Sequence, residues 1–580
     1  MRARALAAGA ALPAALVAAC AGRATPNTAP VHGDPAPPSI TATLAGWRRE
    51  EDAVFARLAA RQAALPGGLR TRAERTGYRE TSSHADVLAF VDSLARLAPG
   101  ALRVQVLGTS PGGRTLPLVV ASRPAVATPE EARRLGRPVV YVQANIHAGE
   151  VEGKEALQAL LRDLALDPRP NVLDSLVLLA VPIYNADGNE ALAPQAVNRT
   201  EQNGPELVGR RANGQGLDLN RDYVKAEAPE TRAALALFAR WDPDAFVDLH
   251  TTDGSFHGYA LTWSPSLHPS APLGPYVQDT LLPRVRDRTL RRWSVPTFPY
   301  GNFATEYGAD VTPDTTKQGW FTYEHVPRFG TNYYGLRGRL SVLSEAYSHD
   351  PFERRVWATY AFVRELLSAL TEDGAGVRAR VAGVAPTGGA PVALGARLTT
   401  RPARGPVVAE DLARTGDSSL TEPGVPRGLR RTGHFRALEL PVADRFEATR
   451  TGHVPAGGWA FDAAAPGAAA AVALLQRHGV LVERLEAPRA AEAEVYRADS
   501  VVVAARPFQG HRLVRLAGAW RAEPRALAAG AYVVPAAQPL ARLALVLLDP
   551  ETDDGLVTWN VWDAALRAGA DFPVVRLGAR

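Results

Sequence analysis

The chain has 580 residues, of which 46% are hydrophobic and 22% are charged, a globular composition that excludes a fully disordered or fibrous protein. Its 65 basic and 60 acidic residues give a net charge of only +5, so nothing in the charge balance indicates a nucleic-acid partner. At roughly 150 residues per domain, this length predicts two to four domains.

The start of the chain has the pattern of an export signal. Arg2 and Arg4 precede an apolar run over 5–19 that is too short to span a membrane but typical of a signal-peptide core. The only cysteine, Cys20, follows small residues as in a bacterial lipobox, and this resemblance implies cleavage after residue 19 and lipid attachment at Cys20. We therefore expect segment 1–20 to be a lipoprotein signal, with an ordinary signal peptide as the alternative, and a lone cysteine allows no internal disulfide.

Such a signal predicts an exported protein that is lipid-anchored in the cell envelope. Residues 21–42 are rich in Pro and Ala and are expected to form a tether between the lipid and the folded protein. Residues 43–74 are expected to form a helical lead-in, because apolar residues recur at helical spacing over 43–64.

Residues 75–372 are predicted to form the main domain. Helices are expected over 81–98, where Ser and Asp offer cap residues, and over 152–166 and 230–241. Apolar runs predict strands over 102–107, 116–121, 139–146, 176–183, 245–249 and 340–343. Apolar strands that alternate with helices predict an α/β fold with a central, largely parallel sheet flanked by helices on both faces.

The composition changes after the main domain. Residues 373–407 are rich in Gly, Ala, Pro and Arg and are expected to be a linker, followed by an accessory region over 408–580. This region is predicted to be β-rich α+β, with strands over 438–442, 480–485, 500–504 and 543–548 and helices over 467–478 and 561–566. Its tryptophans either line a binding face or pack in the core, and packing is favoured for Trp520, Trp559 and Trp562.

The clearest chemical pattern is the segment His147-Ala148-Gly149-Glu150, which follows an apolar strand and precedes a helix. Histidine and glutamate three positions apart can reach one metal ion, and catalytic zinc takes three such ligands from a protein. His250 ends another predicted strand and is the candidate for the third ligand. Neither pattern is specific when taken alone.

Two further segments place polar residues next to predicted strands. Asp218, Asn220 and Arg221 lie in a Gly-rich stretch preceded by Arg211. Arginine can bind a carboxylate through its planar fork and asparagine adds a donor, although a solvated loop is the alternative. Glu345 follows an apolar strand, where a carboxylate is unfavourable unless it is paired or functional, so it is a candidate general base.

Taken in order, HAGE, DLNR, VDLH and LSE resemble the motifs of the zinc carboxypeptidase family, the family of carboxypeptidase A. The stretch YNADGN over 184–189 also resembles the family's Asn-Pro-Asp-Gly turn, with Ala186 at the usual proline position. The resemblance covers about residues 75–370. It implies a mixed sheet flanked by helices and one Zn²⁺ per chain.

For the metal, the resemblance implies that zinc is bound by His147, Glu150 and His250. It also implies that Asp218 orients a ligand imidazole from behind, which fixes the tautomer of the ring. Arg211 corresponds to the arginine that polarises the scissile carbonyl, but the adjacent arginine at 210 leaves this choice open by one position.

For the substrate, the resemblance implies that Asn220 and Arg221 hold the terminal carboxylate and that Glu345 is the catalytic glutamate. The family also uses a tyrosine before that glutamate. Three tyrosines compete for this role, and aromatic packing is an equally good account of each: Tyr323, Tyr333 and Tyr334.

The sequence therefore predicts a metallocarboxypeptidase that hydrolyses peptides with a free C-terminus and reaches the membrane through its lipid anchor. One alternative is an amidase or deacylase on the same scaffold, acting on cell-wall peptides or acylated amino acids. Another is a lipid-anchored binding protein without catalysis, which the intact ligand set and Glu345 disfavour.

Overall fold

The structure is a computed structural model that describes residues 56–58, 60, 68–303, 319–385, 390–417, 419, 422, 424–425 and 427–578. The predicted signal peptide, Cys20, the tether over 21–42 and most of the lead-in helix over 43–64 lie outside the described residues. Within the described ranges, no helix combines the length and the apolar character needed to cross a membrane.

An eight-stranded sheet forms the centre of the main domain. In chain order its strands are β1 Leu102–Thr109, β2 Thr115–Ala121, β3 Val139–Ala144, β4 Val177–Val181, β5 Ala245–Thr251, β6 Leu261–Pro265, β7 Thr297–Pro299 and β8 Leu340–Ala346. They lie side by side in the order β1-β2-β4-β3-β5-β8-β6-β7. The central strands β4, β3, β5 and β8 are parallel, whereas β1, β2 and β6 join antiparallel. The predicted mixed, largely parallel sheet is confirmed.

Helices cover both faces of this sheet. In chain order, the described residues form the α-helices α1 Arg72–Arg75, α2 His84–Leu97, α3 Pro129–Leu135, α4 Glu152–Leu166, α5 Ala186–Glu190, α6 Gln195–Asn198, α7 Pro229–Trp241, α8 Gly274–Tyr276, α9 Leu282–Trp293, α10 Gly330–Leu336, α11 Phe352–Glu372, α12 Gly374–Ala382, α13 Ala468–Arg477 and α14 Ala541–Leu548. Helices α2, α4 and α11 pack on one face, and α7 and α10 on the other. Side chains of β3 alternate between the two, with Val140 and Val142 on the first face and Tyr141 on the second.

Local sequence accounts for the helices nearest the site. Helix α4 spans the predicted residues, and nearly all of its side chains are buried. Helix α2 begins after Ser83, whose side chain accepts the backbone N–H of Asp86 while the Asp86 carboxylate accepts that of Ser83. Each Leu or Val that these helices bury stabilises the fold by roughly 1.5–3 kcal/mol.

The C-terminal region is β-rich, as predicted. Its strands are Val392–Thr399, Gly405–Arg414, Leu429–Leu440, Val442–Ala443, Arg445–Gly452, Gly458–Phe461, Glu483–Arg484, Arg489–Ala491, Ala493–Val503, Val514–Ala522, Arg525–Leu527, Tyr532–Val534 and Val575–Leu577. Six of them form a second sheet. Trp559 and Trp562 are buried in this region, in agreement with the packing interpretation.

Two secondary-structure predictions for the C-terminal region are wrong. The predicted strand over 543–548 belongs to helix α14, because a short apolar run that is buried on all sides fits either element by pattern alone. The predicted helix over 561–566 is only the 3₁₀ turn Asp563–Ala565. The interval 373–407 contains helix α12 and strand Val392–Thr399, while the domain boundaries stay a prediction.

The C-terminal region packs on the α7 and α10 face of the main domain, where residues of α13 and α14 join the same hydrophobic cluster. His478 follows α13 at this junction. Its Nε2 donates to the carbonyl of Val224 at 2.9 Å, so its Nδ1 accepts the hydroxyl of Tyr333 at 2.7 Å. Burial lowers the pKa of His478 to about 4, and the charge of Arg337 acts in the same direction.

Acidification should destabilise the fold through His478. The unfolded histidine, with an ordinary pKa of 6.5, binds a proton at higher pH than the folded one. The contribution of His478 to the free energy of unfolding is therefore fully present above about pH 6.5 and is lost as the pH falls toward about 4. At about pH 5 the loss amounts to about 2 kcal/mol.

His478→Gln keeps one donor and one acceptor but does not titrate. Its free energy of unfolding, measured by chemical denaturation, should fall less between about pH 7 and about pH 5 than that of the wild type. Equal falls in the two proteins would contradict this account of His478.

Candidate metal centre and active-site cleft

The candidate site lies at the carboxyl ends of three parallel strands. Strand β3 leads into His147, and His250 and Glu345 are the penultimate residues of β5 and β8. The register of these two strands pairs Glu345 directly with His250. Because the carboxyl ends of parallel strands meet at one edge of a sheet, side chains from distant parts of the sequence converge there.

His147, Glu150 and His250 form a buried cluster whose candidate ligand atoms all lie within 4.8 Å of one another. The Nδ1 atoms of the two histidines are 3.2 Å apart. Glu150 faces both rings, with Oε1 at 3.0 Å from His147 Nδ1 and Oε2 at 2.9 Å from His250 Nδ1. Two imidazoles and one carboxylate are the donor set of a catalytic zinc site.

A carboxylate stands behind each imidazole. His147 Nε2 is 3.0 Å from Asp218 Oδ1, and His250 Nε2 is 3.1 Å from Asp248 Oδ2. Asp218 can hold the proton on Nε2 of His147, which leaves its Nδ1 as a lone-pair donor toward the centre of the cluster. The charge of Asp248 favours a proton on Nε2 of His250 in the same way, although no hydrogen bond joins the two side chains. The residues present therefore fit a zinc ion.

Asp248 was missed by the sequence analysis, although the sequence carries a signal for it. It lies two positions before His250 in VDLH, and this spacing puts both side chains on the same face of strand β5. Asp218, by contrast, was predicted to orient a ligand imidazole, and the structure brings it to His147.

Arginine side chains balance the buried carboxylates of the cluster. Burial alone would raise the pKa of Asp218, but the charges of Arg211 and His147 lower it well below its usual range. Arg211 donates from Nε to Asp218 Oδ2 at 2.9 Å and from a terminal nitrogen to Glu150 at 3.4 Å. Arg210 instead donates to the carbonyl of Asn213, so Arg211 is the one of the two that lines the cleft.

Arg199 is a further functional candidate that the sequence analysis missed. It is 5% exposed, donates to Glu150 Oε1 at 3.0 Å, and bonds the carbonyls of Thr251 and Thr252 that follow His250. Arg199 therefore connects Glu150, a candidate metal ligand, to the end of strand β5. It belongs to none of the motifs, because its role depends on the fold alone.

The cluster opens into a cleft with an empty volume of about 470 Å³. Its walls are formed by His147, Glu150, Arg211, Asn220, Arg221, His250, Thr251, Asp253, Tyr300, Tyr323, Phe329, Thr331, Leu343 and Glu345. The predicted ligands, arginines, asparagine and glutamate thus share one cavity, with Asp218 directly behind His147.

Asn220 and Arg221 are held in place by helix α10 and the residue before it. The Asn220 side-chain oxygen accepts the N–H of Gly330 at 2.9 Å, which leaves its amide group toward the cleft, 3.5 Å from His250. The guanidinium carbon of Arg221 lies 4.1 Å from the centre of the Phe329 ring. This stacking orients a planar cation without using its donors.

Glu345 is a buried carboxyl group in the wall of the cleft. It is 7% exposed, and its Oε2 has no hydrogen-bond partner among the described residues. Burial raises its pKa well above the usual range, Asp253 and Glu150 add to the effect, and His250 opposes it. A carboxyl group with a raised pKa beside a metal site is suited to taking up and returning a proton.

The structure separates the three candidate tyrosines. Tyr323 lines the cleft. Tyr333 instead donates its hydroxyl to His478, and the ring of Tyr334 stacks on Phe238 with 3.7 Å between the ring centres, in the core on the α7 and α10 face. Tyr300, which the sequence analysis did not single out, also lines the cleft and donates its hydroxyl to Asp253.

Comparison with known proteins supports the family resemblance. The family model described as zinc carboxypeptidase matches residues 87–272. Carboxypeptidase 2 of Trichophyton tonsurans is 29% identical over 113 residues, 19% of this chain and 18% of that protein. Carboxypeptidase D of Mus musculus is 29% identical over 190 residues, 29% of this chain and 13% of that protein. The chain thus spans less than a quarter of the length of either relative.

Solved structures give weaker similarities. A metallo-carboxypeptidase from Burkholderia cenocepacia aligns with a TM-score of 0.37 and 19% identity, over 50% of this chain and 70% of that one. A metallo-carboxypeptidase from Pseudomonas aeruginosa, in complex with (2-guanidinoethylmercapto)succinic acid, aligns with a TM-score of 0.35 and 20% identity, over 52% of this chain and 70% of that one. The matched segment 87–272 contains His147, Glu150 and His250, the group of side chains that could hold a metal ion.

Asp218→Asn should lower the affinity for zinc about 10- to 100-fold, because asparagine keeps the shape but loses the charge that holds the N–H of His147. Competition with a chelator measures this affinity. Asp411→Asn, which removes a partly exposed partner of Arg436, is the matched control and should bind zinc like the wild type. Equal affinities of wild type and Asp218→Asn would contradict the orienting role.

Proposed function

We propose that this chain is a zinc-dependent metallocarboxypeptidase that removes C-terminal residues from peptides. The observation that carries the proposal is the shared cavity, which combines the cluster His147, Glu150 and His250 with the carboxyl group of Glu345 and the guanidinium of Arg221. When bound, the zinc ion would polarise the scissile carbonyl and lower the pKa of a coordinated water to about 7.

Glu345 acts as the general base and then as the general acid. It accepts a proton from the attacking water as the new C–O bond forms at the peptide carbonyl. It then returns that proton to the nitrogen as the C–N bond breaks, which releases a carboxylate and a free amino acid. Among the described residues its Oε2 has no hydrogen-bond partner, which supports this role, because a tightly paired carboxylate is a poor proton acceptor.

Arg211 stabilises the oxygen of the scissile carbonyl as negative charge develops on it. A guanidinium that is already oriented by Asp218 and Glu150 loses little freedom when it makes this contact. Its side chain remains 37% exposed, so part of it is available to the substrate.

Arg221 and the amide group of Asn220 bind the terminal carboxylate of the substrate. A peptide bond inside a longer chain has no carboxylate at this position, so this pair makes the enzyme an exopeptidase. The stacking of Arg221 on Phe329 supports the role, since a preoriented fork binds a carboxylate with two parallel hydrogen bonds.

We further propose that the protein works in the cell envelope, anchored by lipid at Cys20 after removal of residues 1–19. The lipobox-like sequence around Cys20 supports this location. The substrates would then be peptides outside the cytoplasm.

Glu345→Gln should reduce peptide hydrolysis about 10²- to 10⁴-fold, because glutamine cannot take up the proton of the attacking water. Bound zinc should stay at the wild-type level, since Glu345 is not among the proposed ligands. Single-turnover assays and metal analysis of the same preparations test both points. Glu130→Gln, at an exposed ion pair with Arg133, is the control. Unchanged turnover in Glu345→Gln would overturn the assignment.

Arg221→Ala should raise KM for peptides with a free C-terminus about tenfold or more, because a hydrogen-bonded charge pair is lost. C-terminally amidated peptides should be cut poorly by both proteins. Arg210→Ala removes a neighbouring arginine that bonds only a backbone carbonyl in the described part of the chain, and its KM should match the wild type. A wild type that prefers amidated or acylated substrates would favour the amidase or deacylase alternative.

A further inference from the structure

A hairpin of the C-terminal region reaches the active-site rim. Strands Ala493–Val503 and Val514–Ala522 pair antiparallel, and the segment between them ends in a tight turn. In this turn the backbone groups of Phe508 and His511 bond each other in both directions, at 2.7 and 3.0 Å. Gln509 and Gly510 are thus the two central residues of a two-residue hairpin turn.

The side chain of Gln509 contacts the backbone of the catalytic segment. Its Oε1 accepts the N–H of Asp218 at 3.0 Å, across 291 positions of sequence. Asp218 in turn accepts the N–H of Asn220 at 2.9 Å and faces His147 Nε2 at 3.0 Å. A residue of the C-terminal region therefore holds the segment that orients one metal-ligand candidate, His147, and carries Asn220 and Arg221, the proposed carboxylate clamp.

Gln509 has a backbone conformation that its residue type does not favour, which points to a role for its side chain. Its φ is +49° and that of Gly510 is +82°, the left-handed pair that a type I′ hairpin requires. Asn, Asp and Gly are the residues that such a turn favours, whereas a longer side chain is strained there. The turn itself does not favour glutamine, but the contact with Asp218 accounts for it.

Further contacts fix the hairpin against the main domain. His511 Nε2 lies 2.9 Å from a carboxylate oxygen of Glu227. The Phe508 ring lies 5.2 Å from the guanidinium carbon of Arg328, which precedes Phe329, the residue on which Arg221 stacks. The clamp residues Asn220 and Arg221 are supported by the segment at Asp218 and by Phe329. The hairpin contacts the first through Gln509 and the neighbour of the second, Arg328, through Phe508.

We propose that Gln509 is a positioning residue, and that the C-terminal region completes the carboxylate-binding end of the active site. This inference rests on the proposed carboxypeptidase function. It assigns Gln509 no contact with the reacting atoms; its effect passes through the backbone of Asp218.

Two variants of the full chain test the role of Gln509. Gln509→Gly removes the acceptor and relieves the left-handed strain, so the melting temperature should be unchanged or raised. Amide hydrogen exchange in the segment 215–222 should become faster, and KM for a peptide with a free C-terminus should rise about three- to tenfold at saturating zinc. Gln509→Glu keeps the length and the accepting oxygen and should retain both wild-type exchange and wild-type KM.

Each outcome decides the matter. Unchanged exchange or unchanged KM in Gln509→Gly would overturn the proposal, as would a Gln509→Glu variant as impaired as Gln509→Gly. If the wild type released no C-terminal residue, the proposed function would fail. The exchange comparison would still test whether Gln509 holds Asp218, so the two failures are distinguishable.

Discussion

The site depends on the interaction between Asp218 and His147. One oxygen of Asp218 faces the imidazole and accepts the N–H of Asn220, while the other accepts the Nε–H of Arg211. A buried carboxylate is costly unless each oxygen is paired, and here every partner is itself a functional candidate. The same charge therefore orients a candidate metal ligand, His147, a candidate oxyanion donor, Arg211, and the segment that carries Asn220 and Arg221.

The parallel sheet makes this convergence possible. Strands β3, β5 and β8 end side by side, so His147, His250 and Glu345 meet without any insertion in the strands. The cost is a concentration of buried charge at one edge of the sheet. Arg199 and Arg211 offset the negative charge of the carboxylates there, which explains why two arginines contact Glu150.

Local patterns in the sequence were sufficient for the central strands and for helix α4. Together with the family resemblance they also indicated several of the residues that line the cleft, but not Asp253, Tyr300 or Phe329. They failed where the outcome depends on contacts between distant segments. The run over 543–548 is a helix because of its packing partners, and Arg199 is a functional candidate only because the fold brings it to Glu150. The three tyrosines near Glu345 were indistinguishable by spacing, since only the fold sends Tyr323 into the cleft and Tyr333 toward His478.

A second contact, at Arg328, connects the C-terminal region to the residues that support Asn220 and Arg221. Asp554 of the C-terminal region is fully buried and accepts the backbone N–H of Arg328 at 2.7 Å, its guanidinium at 2.9 Å and the indole N–H of Trp559 at 2.8 Å. Removing one partner of such a buried pair typically costs about 3–5 kcal/mol, because the remaining charge is left without compensation. Arg328 leads directly into the residues that support Arg221 and Asn220. The interface that stabilises the C-terminal region therefore also sets the geometry of the cleft, and the two cannot vary independently.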